Sequence, residues 1–494
     1  FAKTGFGRNA RAIINYLHET GKYEIVQYCM GCQENTQQLK KPPGRSIGCF
    51  PADNNELAKI QRDPSYARQA GYGAHFIDKA IKEEKPDVYF GVQDIWGVDY
   101  CIEKPWFNKI NHAIWTTLDS LPILPNAVEK ASKIKNYWIW ADFATKALHE
   151  LGHKHVKTIR GALDTKHFYK VDKDQSKKLR KFHGIDENTF VVGFVFRNQL
   201  RKSVPNLLLG FKKFKQKTKN LHSAKLLLHT HFSEGWDIPR EAKNAGVSMD
   251  DILCTYTCRS CKSYFVSNFK GQDQKCPLCG SEKGLVTANT QDGVTEAQLN
   301  EIYNLMDVYV HPFTSGGQEI PIQEAKLCEL ITLVTNYSCG EDLCVSSSGS
   351  MPLKWTEYWE PQTHFIKATT DPDSIASNLS KVYRMPVARK SELGKKSRKF
   401  VIDNFSVEVI GGKIEEFLDG CEKTIYDFND QEEKKDPYVE VPEIQDDEEW
   451  ILWLYHNILK MKGLDKDDDG FKYWKQELTN GKSKKDIENY FREV

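Results

Sequence analysis

The chain has 494 residues, 69 Lys+Arg against 68 Asp+Glu, a formal net charge of +1, and a composition that is 40% hydrophobic and 12% aromatic. At roughly 100–200 residues per domain this length fits two to four domains, and the composition excludes both a disulfide-stapled miniprotein and a disordered chain. The balanced charge removes global electrostatics as a signal for nucleic acid, so any such contact has to rest on a local patch.

No stretch approaches the roughly 18 apolar residues of a membrane span, and no signal segment opens the chain. Of thirteen cysteines, an odd number, five fall between Cys254 and Cys279. That clustering points to metal ligation in a reducing compartment and predicts a soluble, cytoplasmic protein, in the host cytoplasm if phage-encoded. The chain opens on FAKTGFGRNARAIINYL, which reads as a Gly-containing loop followed by an amphipathic helix.

A buried strand is predicted at residues 23–31, and the polar stretch at 33–51 reads as loop. Helical periodicity returns near 74–84, followed by apolar strands at 85–94 and 112–117. The alternation restarts with TFVVGFVF at 189–196, a loop, and the amphipathic helix SVPNLLLGFKKFKQK. Further apolar runs stand at 224–232, 307–312 and 331–336, with helical pattern between them. Strand alternating with helix predicts an α/β chain with two Rossmann-like doubly wound domains. Ligands in such sheets bind beyond the carboxyl ends of the strands, so the loops after Phe196, Phe232 and Pro312 are where chemistry is expected.

Residues 426–450 carry eleven acidic side chains against two lysines, the composition of a solvated linker. Without their nine net negative charges (eleven minus two) the rest of the chain is about ten charges positive (1 plus 9), a modest basic bias. Apolar spacing over Leu452, Tyr455, Ile458, Leu459, Phe471, Trp474 and Leu478 then predicts a small helical appendage. The expected division is an acceptor-side domain at 1–165, a donor domain at 166–425 whose last helix returns to the first domain, an acidic linker at 426–449 and a small helical C-terminal domain at 450–494.

Two Cys-x-x-Cys knuckles, Cys258/Cys261 and Cys276/Cys279, are separated by fourteen residues. This is the spacing of a zinc ribbon, predicted as an insertion at 254–284. Four thiolates close the coordination sphere, so the Zn²⁺ is expected to be structural. Arg259, Lys262, Lys270 and Lys275 give the ribbon a second, less favoured reading as a surface for nucleic acid or a partner. Cys29 and Cys32 form a third knuckle without a second pair, read as coincidental. Asp465, Asp467 and Asp469 open like a calcium loop, but Gln476 stands where the bidentate Glu belongs, which favours an Asx turn.

Arg197 and Lys202 follow the strand 189–196 and place two cations where such sheets bind phosphate. On a second loop, HPFTSGGQEIPIQEAKLCEL, Ser315, Gly316 and Gly317 permit close backbone approach, Gln318 leads into a helix whose N–H groups can face an anion, and Glu324 sits near that helix's start.

The series TGFGRNARAI, IRGALDTKHF, GFVFRNQLRK, TEAQLNEIYNLMDVYVHPFTSGGQEIPIQEAKLCEL and SRKFVIDNFSVEVI resembles the retaining group-1 glycosyltransferases of GT-B fold over nearly all of residues 1–420, apart from the zinc insertion. The resemblance implies a nucleotide-sugar donor, diphosphate neutralisation by Arg197 and Lys202 at the family's R-x4-K positions, and ribose recognition by Glu324, the second Glu of E-x7-E. It sets Gly5 and Gly7 in a loop facing the cleft and implies no catalytic metal. It also implies a strand directly upstream of Phe1. The first Glu of E-x7-E is replaced by Gly316, and Glu319 is the candidate to fill its space. Asp94, at a strand end on the acceptor side, is the candidate to orient the attacking hydroxyl or receive its proton, against a plain helix cap. The tail resembles a small helical domain appended to bacterial and phage proteins, for which partner binding or positioning is the expected role.

The leading expectation is a hexosyl- or pentosyltransferase acting on a hydroxyl of a saccharide or protein. Two alternatives stay open: a hydroxymethylated base of phage DNA as acceptor, and a non-catalytic sugar- or partner-binding scaffold, which Gly316 motivates.

Overall fold

The structure, a computed structural model, describes residues 4–40, 43–218, 223–428, 441–442, 444–459, 461 and 464–493. It divides into two compact units, Phe1–Thr424 and Ile425–Val494.

The first unit begins with the helix Gly5–Thr20, capped by Thr4, whose hydroxyl accepts the Gly7 N–H at 3.2 Å. Gly5 and Gly7 therefore belong to the first helical turn and not to a loop, because the Thr4 cap starts the helix ahead of both glycines. The apolar stripe Ala12, Ile13 and Leu17 packs on Trp115, Trp138 and Trp140, and Ile410 and Ile414 of the helix Val407–Asp419 complete the same core.

Strands β1 (Val26–Gln33) and β2 (Arg45–Phe50) form a parallel pair. The predicted loop at 33–51 thus contains a strand. Its RSIGCF pattern is too short and polar to stand out, but pairing with β1 satisfies its backbone. β3 (Val88–Gly91), β4 (Asn111–Thr116), β5 (Asn136–Ile139) and β6 (Lys157–Thr158) form a four-stranded parallel sheet in that order.

The second sheet contains β7 (Phe190–Val195), β8 (Ala224–His229), β9 (Ile252–Cys258), β10 (Tyr264–Asn268), β11 (Leu285–Thr287), β12 (Val308–His311), β13 (Thr332–Thr335) and β14 (Met351–Leu353). Its order is β10-β9-β8-β7-β12-β13-β14, with β11 also paired to β9. All six residues of β7 are buried, as a central parallel strand covered on both faces requires. β9 pairs parallel with β8 through residues 252–254, antiparallel with β10 through 253–257 and antiparallel with β11 through 256–258, so one strand serves both the main sheet and the cysteine ribbon.

A last hairpin, β15 (Trp355–Trp359) and β16 (Ile366–Thr370), reaches the first sheet domain, where Ile366 bridges Leu121. Arg160 joins the two halves as well, donating to Asp142 at 2.8 Å and to Asp342 at 2.5 Å.

The second unit buries Trp450, Ile451, Leu454, Phe471, Trp474, Ile487 and Phe491 in its own core. Its helix Asp447–Asn457 starts inside the predicted linker, because Asp446 caps it and three acidic residues fill the first turn. Residues 429–440 and 443 of that linker lie outside the described residues. Asp465 accepts the Asp467 N–H at 2.9 Å, an Asx turn. Among the described residues no helix is long and apolar enough to cross a membrane.

Candidate active site and metal centre

Beyond β7 the chain makes a 3-10 turn, Leu200–Lys202, closed by Ser203 at φ 44°. That turn directs Lys202 inward, where it is 3% exposed, and leaves Arg197 exposed at the strand end. Arg201, which sequence reasoning passed over, takes the inner position beside Lys202. Both cations bind one carboxylate, that of Glu319: Arg201 at Oε1 and Lys202 at Oε2. Arg201 also donates to the Ser315 carbonyl at 3.2 Å. His311 Nε2 lies 3.1 Å from Glu319 Oε2, and its Nδ1 lies 2.9 Å from the Tyr309 hydroxyl. An ionised carboxylate only accepts, so Nε2 carries the proton, while the Tyr309 hydroxyl donates to the Val195 carbonyl at 3.0 Å.

The electrostatics follow from burial. Burial alone would raise the Glu319 carboxyl, but Arg201 and Lys202 outweigh it and hold it well below the usual carboxylate range. Burial, with Arg201 alongside, brings Lys202 down to about 8, and burial brings His311 down to about 4, so His311 is neutral at pH 7. Two cations against one anion leave a single positive charge under the glycine loop.

A Cβ at Gly316 would lie 2.8 Å from Glu319 Oε1 and 3.2 Å from an Arg201 nitrogen. Side chains at 316 and 319 therefore compete for one space, and Gly316 is what admits Glu319. Gly316 is pinned by Ser338, whose hydroxyl accepts its N–H at 3.1 Å, and by the Cys339 N–H on its carbonyl at 3.2 Å. The amides of Gly317, Gln318 and Glu319, at the start of the helix Ile320–Leu327, donate to no group among the described residues.

The acceptor-side sheet domain meets this loop closely. A Cβ at Gly317 would fall 1.3 Å from Thr117 Oγ1 and 2.6 Å from Asp119 Oδ1. Gln318 packs on Gly161 and accepts from Asn9 at 2.8 Å. Glu324, 1% exposed, accepts from Arg8 at 2.5 Å and from Tyr303 at 2.8 Å. The helix Gly5–Thr20 thus reaches the donor side through Arg8 and Asn9, while Gly5 itself borders open space. Thr117 Oγ1 and Asn9 Oδ1 are buried without a hydrogen-bond partner among the described residues, two polar atoms left over at the domain junction.

Asp94 stands at the start of the short helix Ile95–Val98, but its side chain makes no capping bond. Burial, then the Asp119 carboxylate, push it up to about 6. Asp119 is exposed, and its charge is felt by Arg201 and Lys367 on the donor side as well as by Asp94.

Away from this cleft, the sulfurs of Cys258, Cys261, Cys276 and Cys279 lie within 4.8 Å of one another. Two of the separations are 3.6 and 3.8 Å, close to the roughly 3.8 Å edge of a tetrahedron with Zn–S near 2.3 Å. The Ser263 hydroxyl, 2.9 Å from Cys261, lowers that thiol to about 6, favouring the thiolate a metal needs. The donor set fits Zn²⁺, and the four thiolates would hold it. Cys29, by contrast, is pushed up to about 11 by burial on β1, and with Cys32 it stands outside the four-thiol group.

No protein-family model matches the sequence, and no curated protein sequence matches it. Solved structures do match by fold. The fold is GT-B. A glycosyltransferase from Rickettsia africae superposes with a TM-score of 0.58 at 13% identity, covering 84% of this chain and 95% of that one. HepE from Anabaena, in complex with UDP and glucose, gives 0.57 at 14% identity over 84% and 96% of the two chains. Sucrose-phosphate synthase from Thermosynechococcus elongatus gives 0.56 at 12% identity over 83% and 92%. At the junction of the two sheet domains, Arg201, Lys202, Glu319 and Glu324 of the second lie close to Asp119 of the first, whose charge Asp94 also feels.

Proposed function

We propose that the chain is a retaining glycosyltransferase that moves a sugar from a nucleotide-sugar donor to a hydroxyl acceptor. The domain at 166–425 holds the donor, and that at 1–165 holds the acceptor. The observation that carries this reading is the Arg201–Lys202–Glu319 cluster, with Lys202 and Glu319 buried and Arg201 half-buried, one positive charge in excess, directly beneath the Gly316–Gly317 loop and facing Asp119 of the other domain. The fold's neighbours include HepE solved with UDP-glucose, which fits a nucleotide-sugar donor.

In this mechanism the bond from the sugar's anomeric carbon to the diphosphate oxygen breaks, and the acceptor oxygen bonds to that carbon on the same face. The acceptor's proton passes to the departing diphosphate or to Asp94, giving a glycoside and a nucleoside diphosphate. Lys202, Arg201 and the amides of Gly317, Gln318 and Glu319 stabilise the charge growing on the leaving phosphate, pre-placed dipoles that need no reorganisation. Arg197, exposed at the strand end, is a weaker candidate for the same task. Glu319 takes the place that the family's first glutamate would hold from position 316, and it aligns the two cations. Glu324 meets the ribose once Arg8 yields its oxygen. Ser315 and Gln318 border the donor.

The zinc-bound ribbon, in this reading, is a structural clip. Two of its four cations are paired, Arg259 with Asp273 and Asp292 and Lys275 with Glu282, which weakens the ribbon as a DNA-binding surface. The scaffold reading loses its motive once Glu319 fills the space beside Gly316.

A thermal-shift screen over nucleoside diphosphates and their sugars tests the assignment. At least one nucleotide is expected to raise the unfolding midpoint of the wild type, by about 2.7 kcal/mol of stabilisation at a hundred times its Kd. No shift with any nucleotide overturns it.

A further inference from the structure

Lys367 lies on β16, 9% exposed, in the hairpin that crosses toward the acceptor-side domain. Its ammonium donates to Ser120 Oγ at 2.6 Å and to Ser315 Oγ at 2.8 Å, and the two hydroxyls stand 3.0 Å apart. Ser120 comes from the loop beyond β4, whereas Ser315 immediately precedes Gly316. One side chain therefore touches both walls of the cleft next to the loop assigned to the diphosphate.

A buried ammonium is costly unless an opposite charge accompanies it. Here both hydrogen-bond partners are neutral. The nearest carboxylate, Glu360, is 4.0 Å away, beyond hydrogen-bond reach, and the Phe365 ring lies 5.2 Å off. The third N–H has no hydrogen-bonded partner among the described residues. A neutral amide could brace two serine hydroxyls equally well, so the charge itself calls for a reason. Burial disfavours the charged form, Arg201 nearby adds to that, and Glu360 and Asp119 only partly offset them. The cleft thus gathers three cations, Arg201, Lys202 and Lys367, with three carboxylates, Glu319, Asp119 and Glu360; Glu319 is hydrogen-bonded to the first two cations, and among the described residues no carboxylate is hydrogen-bonded to Lys367.

We propose that Lys367 is a third ligand of the donor's diphosphate, reaching it from the β15–β16 hairpin with the Ser120 and Ser315 hydroxyls beside it. A compact ammonium suits one phosphate oxygen as a point charge. Ser315 holds this cation on the donor side while Ser120 joins it to the acceptor-side domain, so one side chain would serve both the donor and the domain junction. The assignment rests on the glycosyltransferase reading.

Isothermal titration of the full chain with UDP, GDP, ADP and TDP, each against its monophosphate, tests the proposal in wild type, Lys367→Met, Lys367→Arg and Ser120→Ala. Lys367→Met is expected to cut the preference for diphosphate over monophosphate by about tenfold or more, the weight of one charge-assisted phosphate contact. Lys367→Arg keeps most of the preference, and Ser120→Ala, which removes a brace but no charge, stays within about threefold of wild type. An unchanged preference in Lys367→Met, whatever its thermal stability, overturns the proposal and leaves a structural brace. A wild type that binds no nucleoside diphosphate overturns the glycosyltransferase reading and this proposal together.

Discussion

Asp94 shows how much of the chemistry depends on environment. Its folded pKa of about 6 exceeds the ordinary value of 3.8, so the native state holds its proton more tightly than the unfolded chain does. Ionisation of Asp94 therefore costs stability, increasingly from pH 3.8 to 6 and fully above that. Asp94→Asn is expected to unfold about 1–3 °C higher than wild type at pH 7 and at the same temperature near pH 4, while losing sugar transfer. The wild-type rate falls on the acid side with a midpoint near 6. A less stable Asp94→Asn protein at pH 7, or a rate flat between pH 5 and 7, contradicts this role. Short motifs nominated Lys202 and Glu324, and Glu319 was nominated by its nearness to the missing glutamate at 316; the structure brings Lys202 and Glu319 into contact. It concealed Arg201, because spacing nominates Arg197 and only the 3-10 turn decides which side chain points inward; adjacent Arg and Lys just before a Ser-Val-Pro helix start were the available signal. Lys367 was illegible, since its partners lie 247 and 52 residues away along the chain.

Among elements, the cysteine ribbon and the central sheet share β9, so loss of the metal is expected to loosen both. Cys276→Ser should release the single bound zinc, lower the unfolding temperature and open residues 259–284 to proteolysis. Chelation of the wild type should do the same, because binding free energy at such a site is folding free energy. A chain that purifies without zinc and is indifferent to chelator contradicts the clip. Strands written as continuous apolar runs, such as β7, β8, β12 and β13, were legible because burial on both faces removes polar alternation. β2 was not, and neither were the helices Asn54–Gln61 and Pro64–Gly71, which bury few side chains. Their caps were the local clue: Asp53 accepts from Asn55 and Glu56, and Asp63 accepts from Ser65 and Tyr66 ahead of a proline at the first helical position.

At the scale of the whole molecule, the two compact units have separate cores, Trp115 and its neighbours in one and Trp450 and its neighbours in the other. A chain ending at Thr424 is accordingly expected to fold with an unchanged unfolding midpoint and to bind nucleotide as the full chain does. A truncated chain that aggregates or loses nucleotide binding would show that the C-terminal unit belongs to the catalytic body. The two sheet domains of the first unit are instead tied through the site itself, by Arg8 on Glu324, Asn9 on Gln318, Arg160 on Asp342 and Lys367 between two serines. A donor in the proposed site would exchange some of these contacts for its own, and Glu324 is the clearest case, with both carboxylate oxygens already engaged. The alternation of strand and helix disclosed two sheet domains in advance; their closed arrangement depends on pairings between distant residues that no local pattern encodes. The central claim is that Arg201, Lys202 and Glu319 form the diphosphate end of a nucleotide-sugar site. Release of nucleoside diphosphate from a panel of nucleotide sugars, compared between wild type and Lys202→Ala, tests it most directly. Wild type is expected to release diphosphate from at least one donor and Lys202→Ala to do so about 10²–10³-fold more slowly, whereas equal rates, or no release from any donor, would contradict it.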